Sequence, residues 1–153
     1  MLTHHLLDAL SLQRFIPDGA GLVDIGSGGG VPGIPLAIAR SDLDVLSIEP
    51  NSKKASFQQQ VRIDLGLENF DVQTAPAEAV QLDGGRDFVI SRAFGDLADF
   101  IKVAGHLLKP DGYRARTGSR AARSRSSRRR QSETTIFVSA TFGSTFGPLP
   151  EPE

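Results

Sequence analysis

The sequence contains no cysteine and no tryptophan, and only one tyrosine and one methionine among 153 residues. Without cysteine there can be no disulfide framework, no thiolate nucleophile and no cysteine-held metal. The histidines do not replace it. His4 and His5 are adjacent, so on a helix they diverge by about 100° and cannot share an ion. His106 falls within a helical pattern, and all three read as structural or exposed, so no metal is expected. No apolar run approaches the roughly 18 residues a membrane span requires. No charged-then-apolar leader with a small-residue cleavage site marks the chain for export, and the plain expectation is a cytoplasmic, monomeric protein without membrane contact. A hydrophobic content of 39% suits one globular domain.

A net charge of −1 hides an uneven distribution. Residues 1–113 carry nine Lys/Arg against fifteen Asp/Glu, a balance of −6, whereas residues 114–153 carry eight Arg against three Glu, a balance of +5. The two parts are composed differently, which sets an expected boundary near residue 113.

Up to that boundary, helix and strand patterns alternate. Apolar residues at helical spacing predict a helix over 2–15, ended by Pro17-Asp18-Gly19. A short apolar strand follows at 21–25, then a glycine-rich loop, then a helix at 34–40 opened by Pro35. A second strand at 45–48 runs into Glu49-Pro50. Asn51 can cap a helix in which Phe57, Val61 and Leu65 recur every four residues, and Gly66 stops it. Strands at 70–74 and 87–91 bracket a connection through Ala77-Glu78, and a helical face from Leu97 to Leu108 leads to Lys109-Pro110-Asp111-Gly112. This alternation predicts an α/β protein of three layers, with helices on both faces of a mostly parallel sheet.

A fifth strand is due at Tyr113, but the chain reads YRARTGSRAARSRSSRRRQSE. A strand buried on both faces should be an apolar run, and unpaired guanidinium groups are costly to bury. The expectation is that the C-terminal strands are missing or replaced. Residues 1–113 then form the core, and 114–153 form an Arg/Ser-rich disordered tail with a short strand at 135–142.

The stretch VDIGSGGGVPGIP, residues 23–35, crowds glycines against the end of the first strand. Gly28-x-Gly30-x-x-Gly33 fits a dinucleotide fingerprint, in which glycines let backbone N–H groups approach a cofactor. Two features point elsewhere. Asp24 gives Asp-x-Gly-x-Gly-x-Gly through Gly26, Gly28 and Gly30, and a carboxylate there suits an amino group better than a pyrophosphate. Pro32 and Pro35 also reduce the free N–H groups that would cradle phosphate. Glu49 ends the next strand at an offset that suits an acid accepting ribose hydroxyls. Amino acid, ribose and adenine together describe S-adenosylmethionine as well as a dinucleotide. The bland alternative is a glycine turn that packs strand against helix.

At this point HHLLDALSL, VDIGSGGGVPGIPLAIAR, IEPNSKKASF, APAEAV, FVISRAFGDLADF and HLLKPDGY together resemble the RsmG (GidB) family of 16S rRNA guanine-N7 methyltransferases. The resemblance implies a Rossmann-like class I methyltransferase fold and S-adenosyl-L-methionine as cofactor. It also implies 16S rRNA of the small ribosomal subunit as the partner. The family's cofactor contacts fall on Gly26, Val31, Ala77, Glu78 and Arg92. Asp24 and Glu49 join them on chemical grounds, as partners for the methionine amino group and the ribose, with Gly28 in the same loop. Guanine N7 has a lone pair and no proton to lose, so no general base is required and no catalytic residue is assigned. Phe94 is either a stacking platform for the target base or a core residue. Arg92 has a salt-bridge alternative, and Lys53-Lys54 reads as a solvated face rather than an RNA contact.

Family members begin with further helices and continue past the fifth strand with a different sequence. The shift at Gly112-Tyr113 therefore reads as a reading-frame change, with Met1 an internal start and activity of this copy open. Two other functions stay in view. One is an NAD(P)-dependent oxidoreductase, although no Tyr-x-x-x-Lys pair is present. The other is a non-enzymatic RNA-binding remnant driven by Arg114 to Arg130, which would bind through counterion release.

Overall fold

The structure, a computed structural model, describes residues 10–92, 97–119 and 134–140. Six strands form one sheet in the order β3-β2-β1-β4-β5-β6. They are β1 (Gly21–Ile25), β2 (Asp44–Ile48), β3 (Phe70–Gln73), β4 (Arg86–Ser91), β5 (Leu108–Ser119) and β6 (Thr134–Ala140). The first five run parallel and β6 returns antiparallel to β5. Three helices, α1 (Gly33–Ala39), α2 (Ser52–Leu65) and α3 (Leu97–Gly105), connect them.

Alternation along the strands divides the core in two. Leu22, Val45, Phe88 and Ile90 face one layer with Leu36 and Ala37 of α1, and Val61 of α2 packs against it. Val23, Ile25, Leu46, Ile48 and Val89 face the other, with Phe100, Val103 and Ala104 of α3. Helices on both faces give the three-layer α/β/α arrangement expected. Among the described residues, no helix is long and apolar enough to cross a membrane.

Local signals explain several boundaries. Asn51 caps α2, its Oδ1 accepting from the N–H groups of Lys53 and Lys54 at 3.1 Å. Gly66 closes the same helix in the left-handed region at φ 61°. Residues 10–12 are helical and run into a 3-10 turn at Gln13–Phe15. Arg40 holds that segment, donating to the carbonyls of Gln13 and Ile16 while pairing with Asp42 at 2.7 Å. The residues of the first predicted helix before position 10 lie outside the described ones, as do His4 and His5.

Three expectations need correction. The fifth strand does form: Tyr113, Arg114, Ala115 and Arg116 pair with Phe88 to Ser91 in parallel. Its ladder uses backbone groups, and Ala115 is fully buried. Tyr113 stacks on Phe88 with ring centroids 6.3 Å apart. Arg114 Nη1 donates to the Ile101 carbonyl at 3.3 Å, while its Nε is buried without a partner. The Lys109–Gly112 turn becomes an irregularity in the register between Arg86–Leu108 and Phe88–Tyr113. Strand β6, at Thr134–Ala140, lies close to the short strand expected at 135–142, and β4 therefore has no free edge.

Second, α2 turns a different face inward. It buries Ala55 and Gln58, while Phe57 and Leu65 are each 55% exposed and Ile63 is 71% exposed. The polar side chain on the inward face is Gln58, 0% exposed. Third, α3 ends at Gly105, so His106 lies just past the helix and Leu108 opens β5. Residues 120–133 and 141–153, which include most of the Arg/Ser-rich stretch, lie outside the described residues.

Candidate functional site

Strand order reverses between β1 and β4, because β2 and β3 extend one way from β1 and β4 to β6 the other. In open parallel sheets, the crevice for a ligand opens at the carboxyl ends of the strands at such a reversal. Most of the predicted positions lie along that edge. Gly26 follows β1, Glu49 follows β2, the 3-10 turn Ala77–Ala79 follows β3, and Arg92 follows β4. By contrast, a groove of about 450 Å³ lined by Ala37, Ile38, Leu65 and Leu67 sits at the opposite, amino edge.

The glycine loop takes its shape from backbone freedom and a few fixed bonds. Gly26, Gly28 and Gly30 have φ of 63°, 57° and 82°, a region that favours glycine. A Cβ on Gly26 or Gly28 would meet nothing within 4 Å, so that side of the loop is open to a ligand. Gly30 differs, because a Cβ there would lie 2.2 Å from Cδ1 of Ile34. Two of these glycines therefore face space, and the third faces the core. Val31, half-buried, follows them into α1.

Two carboxylates support the loop. Glu49 is 4% exposed. Its Oε2 accepts from the Gly28 N–H at 2.7 Å and its Oε1 from the Asn51 N–H at 2.9 Å. Each oxygen keeps a second acceptor site, which is what a ribose diol requires. Asp24 is fully buried, and its Oδ2 accepts from the Gly33 N–H at 2.9 Å. Burial pushes its pKa up to about 7, the Gly33 N–H and the Arg92 charge pull it back, and the Glu49 charge raises it. Its Oδ1 is buried without a hydrogen-bond partner.

Asp24 is thus clamped through Oδ2 to the start of α1, with Oδ1 left unpaired. A Cβ on Gly33 would come within 2.9 Å of Asp24 Oδ2, which explains the glycine at that position.

Ala77 is 6% exposed and packs into the second core layer, whereas Glu78 is exposed. His106 Nε2 lies 3.1 Å from both the Ala77 and Val80 carbonyls. Both are acceptors, so Nε2 carries the hydrogen and ties this turn to the end of α3. A cavity of about 420 Å³ beside the turn is lined by Glu78, Asp99, Lys102, Val103 and His106. Arg92 is half-buried. Phe94 lies outside the described residues, and Lys53 and Lys54 are exposed at the start of α2, in line with a solvated face.

Residues not anticipated from sequence complete the site. Ser27, Ser47 and Gln58 are buried together under the loop. Ser47 has a sequence signal, as a hydroxyl inside an apolar strand, which requires a partner. Nothing distinguishes Gln58 from its neighbours in the Gln58–Gln60 run.

Comparison with known proteins agrees with this architecture. The sequence model of the family described as "GidB: rRNA small subunit methyltransferase G" matches residues 1–141. A ribosomal RNA small subunit methyltransferase G from Azoarcus sp. (strain BH72) is 51% identical over 112 residues, covering 73% of this chain and 53% of that protein. One from Neisseria meningitidis serogroup C (strain 053442) is 48% identical over 113 residues, covering 74% and 54% respectively. The chain thus spans about half the length of the curated relatives it matches. Among solved structures, a SAM dependent methyltransferase from Aquifex aeolicus superposes with a TM-score of 0.65 at 17% identity, covering 79% of this chain and 69% of that one. A SAM-dependent methyltransferase from Thiobacillus denitrificans in complex with S-adenosyl-L-homocysteine gives 0.62 at 19% identity, covering 73% and 47%. These likenesses establish the Rossmann-like class I methyltransferase fold, and the match over 1–141 carries past the boundary at 113 drawn from composition. The chain belongs to the GidB family, rRNA small subunit methyltransferase G.

Proposed function

We propose that the chain carries the cofactor half of an S-adenosylmethionine-dependent methyltransferase acting on N7 of a guanine in 16S rRNA of the small ribosomal subunit, in the cytoplasm. The observation that carries this reading is the open side of Gly26 and Gly28, set beside a buried Glu49 with acceptor capacity to spare. The relatives' printed names supply the substrate class.

Each group has a task in this reading. The glycines admit the ligand against the backbone, and Glu49 accepts the ribose hydroxyls. Ala77 and Glu78 flank the adenine, Val31 closes the loop, and Arg92 balances the acidic floor made by Asp24 and Glu49. When bound, the cofactor supplies an electrophilic methyl group on a sulfonium. Guanine N7 brings a lone pair and no proton, so the protein's contribution is alignment and exclusion of water, not base catalysis.

The test is methyl transfer from labelled cofactor to deproteinised 16S rRNA and to intact small subunits. Label confined to one guanine, and chain cleavage there after reduction and aniline treatment, is the expected result. Label on an exocyclic amine, or none on either substrate, would overturn the reading.

A further inference from the structure

Gln58 is an unusual residue for its position. It is 0% exposed on a helix that buries only one other residue, Ala55. Its amide closes a ring of polar groups under the glycine loop. The Ser47 hydroxyl donates to Gln58 Oε1 at 2.6 Å. Gln58 Nε2 donates to Ser27 Oγ at 2.7 Å and to the Gly28 carbonyl at 2.8 Å. The Ser27 and Ser47 hydroxyls also bond each other. With Ser27 donating to Ser47, every hydrogen in the ring has an acceptor, and the Gly28 carbonyl fixes which end of the amide faces it.

This ring bears on one residue in particular. Gly28 is held from both sides, its N–H by Glu49 Oε2 and its carbonyl by Gln58 Nε2. Glu49 is the acid assigned to the ribose, and Gly28 is one of the two glycines whose open side would face the ligand. An apolar side chain at 58 could fill the same space, so packing alone does not require an amide. The amide fixes the orientation of the Gly28–Gly29 peptide and so the backbone at Gly28, whose N–H in turn holds the Glu49 carboxylate.

Resting on the cofactor reading above, we infer that Gln58 is a positioning residue for the cofactor: it acts from α2 through the Ser27–Ser47 ring to hold Gly28 and Glu49 in their binding geometry. It touches no ligand itself. The same anchor sets the rotation of α2, which is why Phe57 and Leu65 face outward.

Three full-length variants test this, Gln58→Glu, Gln58→Leu and Ser47→Ala, each titrated with S-adenosylhomocysteine and each melted without ligand. Gln58→Glu keeps the shape but turns an acceptor toward the Gly28 carbonyl, so affinity should fall roughly tenfold or more at pH 8. Relative to wild type measured at the same pH, part of the loss should return as the pH falls, because a protonated Glu regains one donor. Gln58→Leu should lose affinity without any such pH-linked recovery, and Ser47→Ala should lose less. Amide exchange at Gly28 should accelerate in each folded variant beyond exchange in the middle of β1. A Gln58→Glu or Gln58→Leu chain that melts cooperatively and binds like wild type would overturn the inference. If Gln58→Glu does not fold, equal binding by Gln58→Leu and wild type overturns it just as well. Failure of the wild-type chain itself to bind would remove the cofactor reading, a distinguishable result, and this inference with it.

Discussion

Gly28 and Gly30 share one loop and one region of backbone space, yet they should respond to alanine in opposite ways. At Gly30, φ is 82° and a new Cβ would stand 2.2 Å from Cδ1 and 2.8 Å from Cγ1 of Ile34. The left-handed backbone costs roughly 1–2 kcal/mol for a residue with a Cβ. Displacing the Ile34 side chain adds about 1–3 kcal/mol of overpacking. Gly30→Ala should therefore destabilise the chain by about 2–5 kcal/mol. At Gly28, φ is 57° and nothing lies within 4 Å of the new atom. Only the backbone cost applies, about 1–2 kcal/mol, yet the methyl enters the space assigned to the ligand. Gly28→Ala should stay folded and lose most of its affinity for S-adenosylhomocysteine. Urea denaturation gives the stabilities, and titration calorimetry gives the affinities. The reasoning is refuted if Gly28→Ala binds like wild type, or if Gly30→Ala is as stable as wild type.

Other outcomes follow from burial and charge. Because the folded-state pKa of Asp24 is raised to about 7, the folded chain keeps a proton that the unfolded chain has lost above its ordinary value of 3.8. Its contribution is thus full below about pH 4 and lost as the pH rises to about 7, with a slope of at most about 1.4 kcal/mol per pH unit. Asp24→Asn keeps an acceptor for Gly33 and cannot ionise, so its stability relative to wild type should rise across that window, and parallel urea curves from pH 4 to 8 would show it; a flat difference would contradict the burial argument. Phe57→Ser, at a side chain 55% exposed, should change stability by no more than about 0.5 kcal/mol. Phe70→Ala, at a fully buried one, should cost about 3–5 kcal/mol; similar losses in the two variants would mean that α2 is rotated otherwise. His106→Ala removes the donor shared by the Ala77 and Val80 carbonyls, and amide exchange at Ala79 and Val80 should quicken while the middle of β1 is unchanged.

How far the residues reveal the fold depends on what each element asks of its side chains. Strands β1, β2 and β4 are buried on both faces, so LVDI, VLSI and FVIS announce them. The ends of α2 are legible because Asn51 and Gly66 act locally, through a cap and a left-handed turn. Its rotation is not, because Phe57, Val61 and Leu65 suggest an apolar stripe while the deciding contact is Gln58 with two serines far away in sequence. Strand β5 is hidden for a related reason. One buried alanine, a ring stacked on Phe88 and an arginine that reaches a helix carbonyl while its Nε stays unpaired stand in place of an apolar run. At the site, spacing and resemblance single out Gly26, Glu49, Ala77, Glu78 and Arg92, which the fold sets along one sheet edge. The bond between Asp24 and the Gly33 N–H cannot be foreseen, since it depends on how closely Gly33 approaches.

The central claim is that the carboxyl edge of β1 and β2 seats an adenosyl amino acid. Titrating the wild-type chain with S-adenosylhomocysteine, and separately with reduced nicotinamide dinucleotide, tests it most directly. Saturable one-to-one binding of the first and none of the second is the predicted result. Heat with the dinucleotide alone, or with neither compound, would contradict it.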